Sequence, residues 1–249
     1  MQKGKKVYFA SDVHLGLPGI EPPIEREKRF VRWLDMAKQD AEEIILLGDI
    51  FDFWYEYKKV VPRGFSRFLG KLSEITDSGI TVRFFTGNHD IWAYDYLHTE
   101  CGVILHSKPF VCEFGGKRFF LHHGDGLGNM DWSYKLMKWF FTWKVSQFLF
   151  SNLVHPNLAF WLAHKWSYKS RYSKGIAEVY RGEKEYIYRF SVKEASVNMY
   201  DYMVFGHRHT PVEIDLNGKT QMFILGDWIV SSVYGVFDGE RMHLVKFEG

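Results

Sequence analysis

Five short clusters of histidine, carboxylate and amide side chains hold the chemistry that this chain of 249 residues could perform. They are Asp12-Val13-His14, Gly48-Asp49-Ile50-Phe51-Asp52, Gly87-Asn88-His89-Asp90, His122-His123-Gly124-Asp125 and Gly206-His207-Arg208-His209. Carboxylate, imidazole and amide oxygen together suit Mn, Fe or Zn better than Ca or a thiolate-preferring metal. In an extended segment residues i and i+2 point to one side, so Asp12 with His14, and His207 with His209, would each bring two ligands to one place. Asp49 is the natural bridging carboxylate, having two oxygens for two cations. Glycines 48, 87, 124 and 206 would allow tight turns and close backbone approach. A single Asp-x-His or Gly-His-x-His is common and usually marks a turn around a satisfied histidine. Five such clusters, each at the end of an apolar run, point jointly to a metal site.

The elements that must position them are legible. Val7–Ala10 reads as a buried strand, 25–38 as a helix with Phe30, Leu34 and Ala37 at helical spacing, and Ile44–Leu47 as a second buried strand. Phe65, Phe68, Leu69 and Leu72 make another helical face, and Thr81–Phe85 a third strand. This β-α-β-α-β opening predicts a parallel sheet with crossover helices. Open sheets of this kind place ligands just beyond their strand ends, where the clusters lie. Later the pattern turns to hairpins: Gly115-Gly116, Asn217-Gly218 and Asp238-Gly239 each separate two strand-like runs, so the second half is antiparallel or mixed.

Composition narrows the function. The chain is 46% hydrophobic and 25% charged, which excludes disorder, and its net charge of +2 gives no field that would draw nucleic acid. The 2 cysteines suit a reducing cytosol. The apolar run Val7–Ala10 is too short for a secretory signal. The uncharged stretch 145–163 carries Asn152, His155, Pro156 and Asn157 at its centre, so we expect a helical pair broken at Pro156 and no membrane span. Residues from about 131 to 195 read as helical and unlike the rest. They hold five of the nine Trp and 11 Lys/Arg against 5 Asp/Glu. We read them as a lid inserted into a single domain spanning 1–249.

The series Asp12-x-His14, Gly48-Asp49-x-x-Asp52, Gly87-Asn88-His89-Asp90, His123-Gly124 and Gly206-His207-x-His209 resembles the calcineurin-like metallophosphoesterases. That resemblance implies an α/β fold of two facing mixed β-sheets flanked by helices. It also implies two divalent metal ions, Mn foremost with Fe or Zn as alternatives. One ion would be held by Asp12, His14, Asp49 and His209, and the other by Asp49, Asn88, His123 and His207. Two such ions clamp a phosphoryl group and lower the pKa of a water. His89 would protonate the leaving oxygen or hold the phosphate, oriented by Asp52 or, second in rank, Asp90.

Within the family, the cluster order and the aromatic, basic insertion directly after His123-Gly124-Asp125 are similar to the branch that cleaves the pyrophosphate of a diacylated UDP-sugar in lipid A biosynthesis. That similarity implies an acylated sugar-nucleotide substrate and a cytoplasmic protein, peripheral on the cytoplasmic face of the inner membrane. It brings in no nucleic acid and no obligate protein partner. His89 departs from the Arg that well-known members of that branch carry after the Asn. Trp139, Phe140, Phe141, Phe148, Leu149 and Phe150 would face acyl chains. Asp125, Asp131, Tyr134, Lys165, Lys169, Arg171 and Lys174 are the candidate substrate contacts. Two alternatives remain: a phosphoesterase for another nucleotide, nucleic acid or phosphoprotein, and a non-catalytic interaction module. The second should have lost ligands, and all are present.

Overall fold

Strands form where apolar residues alternate between two buried faces. In the computed structural model, which describes residues 1–19, 21–128, 132–163, 165 and 180–249 with the side chains of 133 and 134 outside that description, β1 (Lys6–Ala10), β2 (Ala41–Leu47) and β3 (Thr81–Phe85) run parallel. They are joined by α1 (Pro23–Ala37) and α2 (Ser66–Asp77). Proline opens α1 because its missing N–H is one the first turn leaves unbonded. After α3 (Tyr96–Cys101), the three-residue β4 (Ile104–His106) pairs parallel with β3. Neither α3 nor β4 was expected, and three residues are too few to show a period. β10 (Val233–Phe237) and β11 (Met242–Lys246) add antiparallel strands, giving the order β11-β10-β1-β2-β3-β4.

The second sheet has the order β5-β6-β7-β9-β8 and contains β5 (Phe110–Phe114), β6 (Lys117–Leu121), β7 (Tyr202–Phe205), β8 (Val212–Asp215) and β9 (Gln221–Ile224). Its three central strands are parallel and its two hairpins antiparallel, so both sheets are mixed, as expected. Val7 and Phe9 of β1 join Phe119, Leu121, Val204 and Phe223 in the core between the sheets. The Phe9 and Phe119 rings stack at 5.9 Å, a contact worth about 0.5–1.5 kcal/mol beyond area burial. Tyr8 and Ala10, pointing the other way, pack with Phe30, Trp33, Phe68 and Leu72 of α1 and α2. On the far side, Phe120, Met203 and Phe205 pack against Ile187 and Phe190 of α7 (Tyr186–Val197).

Between β6 and α7 run α4 (Trp132–Thr142), α5 (Lys144–Leu153) and a helical run over 156–163, here α6. The break before Pro156 is the one the sequence predicts. No helix among the described residues is long and apolar enough to cross a membrane. Because β1, β2 and β3 are parallel, as are β6 and β7, their C-terminal ends share one edge of the sandwich. The five clusters meet there.

Candidate metal centre

The ligand candidates leave their strands in an unexpected conformation. Asp12, His14, Asp49, His207 and His209 have φ of 54°, 49°, 53°, 70° and 54°, all left-handed. The two Asp/His-x-His pairs therefore do not present their ligands by extended alternation. Each ligand sits on a backbone kink that costs roughly 1–3 kcal/mol and persists only where surroundings impose it. They do impose it here. Asp12 N donates to Gly48 O at 3.1 Å, His14 N to Asp49 O at 3.0 Å and His207 N to Asp12 Oδ2 at 2.8 Å. Two glycines permit the crowding: a Cβ at Gly87 would collide with the Asp49 carboxylate, and one at Gly206 with Ser11 Oγ and Asp12 Oδ2.

Three groups of ligand atoms result, each within 4.8 Å: Asp12, His14 and His209; His14, Asp49 and His89; and Asp49, His123 and His207. Asp12 Oδ1 lies 3.4 Å from His209 Nε2, and Asp49 Oδ2 lies 3.3 Å from His123 Nε2 and 4.0 Å from His14 Nε2. Asp49 belongs to two groups, which suits a bridging carboxylate. The donor set fits divalent cations. Asp12 Oδ1 and Asn88 Oδ1 are buried acceptors with no hydrogen bond among the described residues. His123 Nδ1 lies 2.7 Å from Leu47 O, and a carbonyl only accepts, so Nδ1 carries the proton and Nε2 is left as a ligand. That Nε2 stands 3.3 Å from both His207 Nδ1 and Asp49 Oδ2, so three donor atoms are gathered together.

Charge tells the same story in the metal-free protein. Burial opposes ionisation of Asp12 and Asp49, yet the imidazoles around them hold both carboxyls below the usual range. These are chiefly His209 and His14 for Asp12, and His123 and His89 for Asp49. Burial also opposes protonation of His123, but Asp49 raises it to about 10. Burial and then His123 push His207 down to about 4. Burial and the Asp49 charge push Asp90 up to about 7, against its bond from the Gly87 amide. One buried volume thus holds carboxylates that stay anionic and imidazoles competing for one proton, an arrangement that cations relieve.

A profile of calcineurin-like phosphoesterases matches residues 5–211. The chain belongs to the calcineurin-like phosphoesterase family. It is a metal-dependent hydrolase, and its cofactors are divalent metal ions. It is 38% identical to a UDP-2,3-diacylglucosamine hydrolase of Porphyromonas gingivalis over 98% of each chain. It is 25% identical to a protein of the same name from Tolumonas auensis, over 96% of this chain and 95% of that one. A third, from Ectopseudomonas mendocina, is 28% identical over 97% and 98%.

The other predicted residues of this phosphoesterase fall differently. His89 Nδ1 lies 2.7 Å from the Asp52 carbonyl, while the Asp52 carboxylate stands 3.8 Å away. The imidazole is therefore held first by backbone, and its Nδ1 proton faces Asp52. Asp90 does not orient His89: its carboxylate takes the amides of Gly87 and Ile50 at 2.6 and 2.8 Å. Asp125, expected at the substrate, is buried and paired with Lys138 of α4. Lys165 lies 4.9 Å over the Trp161 ring. Asp131, the Tyr134 side chain, Lys169, Arg171 and Lys174 lie outside the described residues. Arg208 donates to Glu185 at 3.0 Å, beside the start of α7. Asp227, which sequence reading missed, stands 3.9 Å from His209 Nδ1 and accepts the amides of Ile229 and Val230. A signal for it existed. Gly226-Asp227 follows an apolar strand just as Gly48-Asp49 does.

Proposed function

We propose that this phosphoesterase hydrolyses the pyrophosphate of UDP-2,3-diacylglucosamine to UMP and 2,3-diacylglucosamine 1-phosphate. The relatives at full length carry that substrate in their names. The observation that carries the reading is an exposed aromatic surface fixed to the loops of the metal centre. Trp139 and Phe148 are 57% and 65% exposed, with Trp132, Phe140, Leu153 and Trp161 also open. Large apolar side chains left this exposed on neighbouring helices mark an interaction surface. Trp92 Nε1 donates to Phe141 O at 3.1 Å, Tyr55 OH to Gln147 O at 3.0 Å, and Phe53 meets Phe160 edge-on at 5.0 Å. Tyr55 and Phe53 follow Asp52 closely, and Trp92 follows His89. Acyl chains lying on α4–α6 would leave the head group at the metal centre.

In this reading Asp12, His14, Asp49 and His209 hold one cation, and Asp49, Asn88, His123 and His207 the other, with Mn as our assignment. When bound, such cations neutralise phosphoryl oxygens and acidify water. His89 keeps its Nδ1 proton on the Asp52 carbonyl and uses Nε2 to hold the phosphate or protonate the leaving oxygen. Residues from about 131 to 195 act as the lid of a single domain, except that α7 at its C-terminal end packs on the second sheet. Asp131, Tyr134, Lys165, Lys169, Arg171 and Lys174 meet sugar and pyrophosphate. The protein works at the cytoplasmic face of the inner membrane, where aromatic side chains beside Lys and Arg suit the interface.

Comparing kcat/KM on UDP-2,3-diacylglucosamine and on UDP-glucosamine without acyl chains tests this. Each buried methylene contributes about 0.8 kcal/mol, roughly fourfold, so the acylated compound is strongly preferred and UMP is released. Equal kcat/KM on the two compounds refutes the reading.

A further inference from the structure

Two buried carboxylates collect backbone amides around the segment that bears Asn88 and His89. Glu56 accepts the amides of Tyr94, Asp95 and Tyr96 on Oε2, at 2.8, 2.9 and 3.2 Å, and the Trp54 indole N–H on Oε1 at 2.9 Å. None of these partners belongs to a ligand residue. Asp90, fully buried, reaches toward the ligands. Its Oδ1 accepts Gly87 N at 2.6 Å and Asp49 N at 3.3 Å, and its Oδ2 accepts Ile50 N at 2.8 Å and Phe51 N at 3.4 Å. It therefore ties the loop after β3 to the loop after β2.

The tie is reciprocal. Asp90 takes the amide of Asp49, and Asp49 Oδ1 takes the amide of His89, the residue before Asp90, at 2.8 Å. Each side chain holds the other's backbone. One Asp49 oxygen is thereby occupied, and Oδ2 is the one left toward His123 and His14. The left-handed turn at Asp49 and the place of Asn88 depend on the same lock.

We infer that Asp90 is a positioning residue of the metal centre, neither a ligand nor the partner of the His89 ring: it sets which Asp49 oxygen meets the metals and holds the Asn88 segment in register. The inference rests on the two-cation reading given above. Groups of this kind behind a ligand change metal affinity or activity by about 10–100-fold when altered.

Asp90→Asn and Glu56→Gln form the test. Each keeps one acceptor oxygen and turns an NH₂ toward backbone amides, at comparable depth. Metal-stripped protein is titrated with Mn²⁺ by calorimetry, and Tm and amide exchange at Asp49 and Ile50 are measured without metal. Asp90→Asn is expected to bind Mn²⁺ about 10–100-fold more weakly, to exchange those two amides faster and to lower kcat with KM unchanged. Glu56→Gln is expected to lower Tm with Mn²⁺ affinity unchanged. Where Asp90→Asn does not fold, Asp90→Ser, with a smaller acceptor, replaces it under the same expectation. Wild-type Mn²⁺ affinity in the folded Asp90 variant, or equal losses in both variants, overturns the positioning role alone. A wild-type protein that takes up no Mn²⁺ overturns the two-cation reading and the positioning role with it.

Discussion

The metal centre and the helices α4–α6 are opposites in construction. Asp12, His14, Asp49 and His123 are at most 1% exposed and are locked by backbone bonds from three or more strand ends. Trp132 is 74% exposed, Phe148 65% and Leu153 76%, on helices held to the body by a few side-chain bonds and ring contacts. The first region holds charge in a fixed geometry against its own repulsion. The second holds apolar surface in water. Elements that bind and release ligands come from the loosely held end of a structure, and the division of labour here follows that rule.

Four measurements probe this contrast. The largest effect is expected at its rigid pole. Asp49→Ala should lose most of its bound metal and nearly all turnover, because two ligand groups share that carboxylate. Two tightly held ions with normal turnover, read by elemental analysis and assay, would show that the carboxylate does not bridge. Next, His89→Ala should keep its metals and slow catalysis by ~10²–10⁴-fold, the contribution of a positioned acid. Loss of one metal equivalent would instead make His89 a ligand with His14 and Asp49.

The third effect is on stability and depends on pH. Burial lowers His122 to about 4, below its ordinary value. Between about pH 6.5 and 4.5 the unfolded chain takes up a proton there that the folded chain refuses, so stability falls as pH falls. His207, also lowered to about 4, adds to the fall, while His123, raised to about 10 and protonated throughout in the folded chain, opposes it near pH 6.5, so the His122 share is read from the variant and not from the total slope. His122→Asn retains an acceptor for the Gly124 amide that His122 Nδ1 now takes, and should flatten the fall by about 2–3 kcal/mol in metal-free protein. Urea midpoints across the window measure it, and an unchanged slope would put the titration elsewhere. The smallest effect lies at the loose pole. Phe148→Ser should change stability by no more than about 0.5 kcal/mol, since it is 65% exposed, and Trp139→Ser by about 0.5–1.5 kcal/mol, since its ring stacks on Trp143, while each weakens sedimentation with anionic vesicles. Phe119→Ala in the inter-sheet core should cost about 3–5 kcal/mol. A Tm drop for Phe148→Ser as large as that for Phe119→Ala would erase the distinction between the two regions.

The sequence was most informative where one physical rule dominates. Short continuous apolar runs followed closely by Ser-Asp, Gly-Asp, Gly-Asn or Gly-His marked the strands and their shared edge, and Thr81–Phe85 has the expected bounds. Rules that assume a conformation failed where the site departs from it. Alternation in an extended segment was the wrong route to the Asp12/His14 and His207/His209 pairs, because left-handed φ is set by tertiary bonds no local pattern encodes. Charge beside a motif also misled. Asp125 looked available for substrate, but a lysine 13 positions later folds back onto it. Asp227 was legible, since Gly226-Asp227 repeats a pattern already trusted at Gly48-Asp49.

The bond from His207 N to Asp12 Oδ2 spans 195 positions of chain. Contacts of such separation form late, after the entropy of closing the loop has been met. During synthesis the first half emerges with Asp12, His14, Asp49 and Asn88 ready, yet the pocket stays half-walled until β7 docks beside β6. Under the two-cation reading, a tightly held pair would therefore report that the second sheet has assembled.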